Sequence, residues 1–158
     1  MIDEVCLNDA LLASAEEVFK TMISANIESC ENDQNIEGDA FLGSITFRGS
    51  LEGCLTICCC VPCAKTIALN MLAMDPSEEL SNEEICDALG EVTNMIMGSV
   101  KARLQNSKNN IAVSIPTVVS GRELQNSLGE GAIRTLVKVK VENEFIAELS
   151  MLYRESSE

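Results

Sequence analysis

The sequence predicts an α+β fold, an antiparallel sheet of hairpins backed by helices, with residues 1–158 forming one domain. Three observations carry this expectation. Segments 8–24 and 81–105 place apolar residues at helical spacing, and other segments alternate apolar with polar residues at a period of two. The alternating segments are mostly joined by short polar turns, which only antiparallel neighbours can use. At this length a single core can bury roughly two-thirds of the unfolded surface.

In segment 8–24, Leu11, Leu12, Ala15, Val18, Phe19, Met22 and Ile23 fall on one helical face, with Asn8 or Asp9 as the expected N-cap. Residues 25–39 are polar, acidic and aperiodic, and read as a surface loop. From Phe41 to Cys60 the period becomes two. Ile45 and Phe47 alternate with Thr46 and Arg48, turn residues occupy 48–53, and Leu51, Leu55 and Ile57 continue the apolar face of a hairpin. Pro62 stands where a first-turn helical proline belongs, and a short helix runs through Ala64, Ile67, Ala68, Met71 and Leu72.

Ser81 and Glu84 make a capping box that opens a long helix reaching about Gln105, and the polar stretch 106–110 ends it. A strand is expected over 111–121 and a polar loop over 121–131. A last hairpin then carries Val137, Val139 and Val141, turns at Glu142 and Asn143, and returns through Phe145, Ala147, Leu149 and Met151. The expected order is helix, two strands, two helices, three strands. The arms of the last hairpin are candidates for a sheet edge, hazardous if left exposed. There is also a faint internal echo. Residues 15–23 align with 89–97, which matches Glu17 to Glu91 but sets Lys20 against Asn94.

Hydrophobic residues make up 46% of the chain, yet aromatics are only 3% and tryptophan is absent, so the core must be aliphatic. Eleven basic against twenty-five acidic side chains leave a net charge of −14, which repels nucleic acid and anionic membranes. The first residues are acidic rather than basic, and no apolar run approaches the ~18 residues of a membrane span. A soluble, cytoplasmic protein is expected. The absence of histidine excludes serine triads with a histidine base, Cys–His proteases, histidine-ligated zinc and phosphohistidine chemistry. Carboxylates, amides, thiols or lysines must do any catalysis.

At about 100° per residue, Asp87, Asn94 and Gly98 lie within about 60° of Glu91 on the long helix. Ile85, Leu89, Val92, Ile96 and Val100 lie opposite and should face the sheet, so the polar line looks outward. Such a line is ordinarily just a solvated face. Gly90 and Gly98 beside it suggest more, since each costs about 1 kcal/mol relative to alanine inside a helix. Small residues there would let another molecule come close.

Asp87, Glu91 and Asn94 at this spacing resemble the signature of the CheC/CheX phosphatases, which hydrolyse the phosphoaspartate of CheY-type response regulators. Pro116 stands near the place of the proline that follows the motif in that family. The resemblance extends through segment 43–53, the helix from Ala64 to Leu72 and the closing hairpin. CheC-type members carry two copies of the motif and CheX-type members one. With Lys20 opposite Asn94, only the second copy is intact, so the resemblance is to the CheX type.

The resemblance implies that Asn94 orients a water and that Glu91 pairs with a cationic group of the receiver, such as its lysine. Asp87 would support the helix or extend the docking contact, and Gly98 would let the partner's backbone come close. An acyl phosphate is already activated, and phosphoryl transfer is catalysed mainly by positioning and electrostatics. A carboxamide, which both donates and accepts, suits that task. The resemblance implies no metal or cofactor in this chain, with Mg²⁺ supplied in the receiver, and it implies a homodimer associated through the sheets. The competing readings are a non-catalytic receiver- or motor-binding module of the same fold and a thiol or metal protein.

The latter reading rests on Cys54, Cys58, Cys59, Cys60 and Cys63, five of the eight cysteines. Cys60 and Cys63 have a C-x-x-C spacing, and Cys54, Cys58 and Cys60 share one strand face opposite Leu55, Ile57 and Cys59. Structural zinc ligands normally come as separated pairs on loops. Same-face strand neighbours lie ~7 Å apart, beyond easy disulfide formation. These thiols are therefore expected to act chiefly as small hydrophobes.

Overall fold

The computed structural model describes residues 4–30, 36, 38–104, 111–122 and 131–155. Helix α1 (Glu4–Val18) runs into a π-helical turn (Phe19–Ile23), which ends at Ser24 in the left-handed region (φ 56°). Strand β1 (Ile27–Ser29) is followed by β2 (Asp39–Gly49) and β3 (Leu51–Cys60), then by α2 (Val61–Met71) and α3 (Asn82–Leu104). Strands β4 (Ile111–Val113), β5 (Thr117–Arg122), β6 (Ile133–Val141) and β7 (Phe145–Glu155) complete the chain. All pairings are antiparallel. Among the described residues seven strands run β1-β6-β7-β3-β2, and β2 pairs with both β4 and β5.

The expected fold class holds, as do the two hairpins, the short helix and the long one. Ser81 caps α3 reciprocally with Glu84. The Glu84 amide donates to Ser81 Oγ at 3.1 Å, and the Ser81 amide donates to Glu84 Oε1 at 3.2 Å. The last hairpin turns at Glu142 and Asn143, both at positive φ (53° and 56°), the paired left-handed geometry that matches strand twist.

Four expectations need correction. Helix α1 begins a turn before Asn8 and Asp9, because Leu7, fully buried, extends its apolar face upstream to Leu11. Within the expected loop 25–39, Ile27–Ser29 forms a strand on Val139–Val141. Three residues carry no period of their own, and it is the unpaired side of β6 that recruits them. Consequently β7, paired with both β6 and β3, is not an edge, while β1 covers β6 only at Val139–Val141 and leaves its earlier residues at the sheet margin.

The fourth correction concerns the strand expected over 111–121. It is two strands, β4 and β5, laid along the same partner β2. Val113 opposes Phe47 and Thr117 opposes Ser44, so three residues, Ser114–Pro116, face only Ile45 and Thr46. One residue is extra, which makes this a β-bulge. The expected break at 106–110 and most of the expected loop 121–131 lie outside the described residues.

The described helices α1, α2 and α3 pack on one face of the sheet. That face presents Phe41, Ile45, Leu55, Ile57, Val139, Leu149 and Met151, all buried, against Leu11, Phe19, Ile67, Leu89, Val92 and Ile96. At about 25 cal/mol per Å² of buried apolar area, this aliphatic interior is the main favourable term. Gly43 lets α3 settle on the sheet, because a Cβ there would collide with the hydroxyl of Thr93. No described helix is long and apolar enough to cross a membrane.

Candidate functional site

Ile85, Leu89, Val92, Ile96 and Val100 are all buried against the sheet, at 3% exposure or less. That fixes the rotation of α3. Asp87, Glu91, Asn94 and Gly98 are consequently exposed along the opposite side. The sequence-predicted site residues thus share one outward line, with Glu91 and Asn94 one turn apart. Among the described residues, their side chains make no hydrogen bond or ion pair.

The two glycines have different surroundings. Gly98 faces open space, with nothing within 4 Å of where its Cβ would stand. Gly90 is buried within the chain, where a Cβ would lie 3.6 Å from Val118 Cγ2 and 3.8 Å from Pro116 Cγ. Open space thus surrounds Gly98, whereas Gly90 lies against Pro116 and Val118. A methyl group at Gly90 would make ordinary van der Waals contact with β5, so the packing there does not require glycine.

The bulge brings Pro116 and Val118 there. Continued in the register of β4, Val118 would oppose Leu42 on the outer face of the sheet. The extra residue moves it opposite Gly43, on the helical face. Pro116 and Val118 then form, with Cys86, Asp87, Gly90 and Glu91, an open groove beside the polar line. Cys86 is half-buried, and burial followed by the Asp87 carboxylate pushes its thiol above the ordinary value. Sequence reasoning placed Pro116 near the site but missed Cys86, Val118 and the bulge. A proline inside a strand pattern was the available signal.

The echo of this site on α1 is occupied from within. Glu17 Oε2 accepts from Arg103 Nη2 at 2.8 Å and from Ser99 Oγ at 2.9 Å, which ties α1 to the last turns of α3. These two donors lower the Glu17 pKa, Ser99 contributing most.

Of the cysteine cluster, Cys59 and Cys63 lie fully inside the core. Their thiols hydrogen-bond, and this contact, together with burial, holds Cys59 well above its ordinary value. Cys63, in the first turn of α2, meets the Cys59 thiol with its own and faces Cys60 through its backbone amide. Cys58, on the opposite face across from Glu148, is pushed up to about 11, by burial first and then by Glu148. All described cysteines are free, and no three described Cys, Asp or Glu converge where they could hold a metal ion.

The chain thus sets an antiparallel sheet behind a long helix whose exposed side carries Glu91 and Asn94. The profile of one family, chemotaxis phosphatase CheX, matches residues 41–138, which include the polar line and Pro116. The chain belongs to this family.

Solved structures agree in fold. The chemotaxis protein CheX of Vibrio vulnificus is similar with a TM-score of 0.80 and 24% identity, covering 98% of this chain and 100% of its own. The CheX of a CheX–CheY–BeF3–Mg complex from Borrelia burgdorferi gives 0.79 at 22% identity, with the same coverage. A chemotactic CheC-like protein of Shewanella oneidensis gives 0.74 at 25%, covering 96% of this chain and 100% of its own. No curated protein matches the chain.

Proposed function

We propose that this protein hydrolyses the aspartyl phosphate of a CheY-type receiver domain, in chemotaxis or related two-component signalling. The observation that carries the reading is the pair Glu91 and Asn94, one turn apart on the exposed side of α3 within a CheX-family fold. A solved complex of the Borrelia CheX with CheY supports a CheY-type partner.

In this mechanism the α3 line lies over the receiver's phosphoryl group. The Asn94 carboxamide holds a water in line with phosphorus, and positioning of this kind supplies much of the acceleration available to phosphoryl transfer. The water oxygen bonds to phosphorus as the acyl P–O bond breaks. Inorganic phosphate leaves, the receiver aspartate regains its carboxylate, and the water's proton ends on phosphate. Glu91 pairs with the receiver lysine and so fixes the helix. Asp87 extends that contact, and Gly98 lets the receiver's backbone approach α3. Mg²⁺ belongs to the receiver, and this chain supplies no cofactor. A homodimer associated through the sheet and a cytoplasmic location complete the proposal.

The test is phosphate release from a CheY-type receiver charged with acetyl phosphate, with and without the protein. Wild type should accelerate release, and Asn94→Ala should lose about 10²–10³-fold, as for removal of one preorganised hydrogen-bonding group. Equal rates for wild type and Asn94→Ala would sink the mechanism. Receiver binding without any acceleration would identify a non-catalytic module.

A further inference from the structure

Ile115 lies in the β4–β5 bulge and is 85% exposed, far more than Met22 at 54%, the next of the exposed large hydrophobics among the described residues. A single exposed aliphatic residue needs no explanation by itself. Its mounting does. The Ser114 amide donates to the Thr46 carbonyl at 2.9 Å, the Thr46 amide donates to Ser114 Oγ at 3.0 Å, and that hydroxyl donates to the Ile115 carbonyl at 3.0 Å. Pro116 follows, with its φ fixed by the ring and its Cγ against Gly90 of α3. A β-branched side chain, stiff at χ1, is thus held out to solvent on a pinned backbone. Bulges next to active sites commonly re-aim a side chain in this way.

We propose that Ile115 is a docking residue, the apolar anchor by which this protein grips the receiver surface beside the phosphorylation site and selects among receivers. The identity of the partner rests on the proposed phosphatase function. Two features commit the occupant to a protein surface. Ile115 immediately precedes Pro116, which lines the groove with Asp87 and Glu91, so a protein surface docked over that groove lies within reach of it. The two carboxylates in that groove repel a free phosphate ion and call for a cation. A surface that offers a lysine next to an apolar patch satisfies both halves. A preorganised aliphatic side chain loses little conformational freedom on docking, so most of its burial appears as affinity.

The experiment separates docking from chemistry by titrating wild type and variants with a CheY-type receiver loaded with Mg²⁺ and BeF3⁻, which does not turn over. Ile115→Ala should weaken binding about tenfold, as expected for an aliphatic side chain that loses its buried contact, while Ile115→Val restores most of it. In phosphate release, Ile115→Ala should raise KM with kcat unchanged, the signature of lost uniform binding. Because the side chain is exposed, the melting temperature of Ile115→Ala should match wild type. Binding and KM within twofold of wild type would overturn the proposal, as would a fall in kcat at unchanged KM. Ile115-dependent binding to a receiver whose phosphate loss wild type does not accelerate would keep the docking role and reject the phosphatase reading.

Discussion

Arg103 Nη2 stands 2.8 Å from Glu17 Oε2, so the α1 carboxylate that aligns in sequence with Glu91 is spent on holding two helices together. Both side chains are about half exposed, and water and salt screen the pair. With its pKa lowered, the Glu17 carboxylate favours the native state at neutral pH, an effect lost as pH falls through the lowered value. Glu17→Gln should leave phosphate release at wild-type rates, and its melting temperature should stay within replicate scatter at high salt. A large loss of phosphate release would reinstate a second site on α1.

Gly98 offers a stability test of function. It lies in the exposed interior of α3 with open space around it, so Gly98→Ala should stabilise the fold by about 1 kcal/mol. Thermal melts should show a rise of about 2–4 °C. If close approach of the receiver is what selects glycine, Gly98→Leu should weaken binding to a BeF3⁻-loaded receiver while remaining as stable as wild type. Unchanged binding by Gly98→Leu would remove Gly98 from the docking face.

Gly43 controls the height of α3 above the sheet. A methyl group there meets Thr93, which is stiff and tied through Oγ1 to the Leu89 carbonyl at 2.7 Å. Gly43→Ala should destabilise by about 1–3 kcal/mol, the usual cost of overpacking, measurable by urea denaturation. Thr93 adjoins Asn94, so kcat should fall as well. Gly43→Ala combined with Thr93→Ser, which removes the methyl but keeps the hydroxyl, should remain impaired, whereas Thr93→Ala should relieve the clash.

Cys58 links stability to alkaline pH. Its thiol is raised from an ordinary value near 9 to about 11, so the native state holds a proton that the unfolded chain releases between those values. Stability should therefore fall as pH rises from about 9 through 11. Cys58→Ser should flatten that part of the profile. Alkylation by iodoacetamide at pH 8 should be slow at Cys58, because the thiolate is the nucleophile, and slower still at Cys59 and Cys63 inside the core.

Much of this protein is written in local patterns. Helical spacing on α3 settled which residues face the sheet, because five buried aliphatics leave only one side free, and Asp87, Glu91, Asn94 and Gly98 occupy it. The capping box at Ser81 and the paired turn at Glu142 and Asn143 are equally local, since each depends on residues within a few positions of each other. Period-two alternation marked β2, β3 and the last hairpin for the same reason.

What remained hidden depends on partners distant in sequence. Ile27–Ser29 becomes a strand only because β6 presents an unpaired side. Gly90 is covered by Pro116 and Val118, and Glu17 is claimed by Ser99 and Arg103, contacts that no local period records. Counting along the chain also could not reveal that Ser114–Pro116 spans two residues of β2 with three. The sequence by itself determined the fold class and the outward Glu91–Asn94 line, because side-chain periodicity is a property of single elements. Tertiary structure decided the bulge, the groove and the exposed Ile115, because register is fixed only when two strands meet.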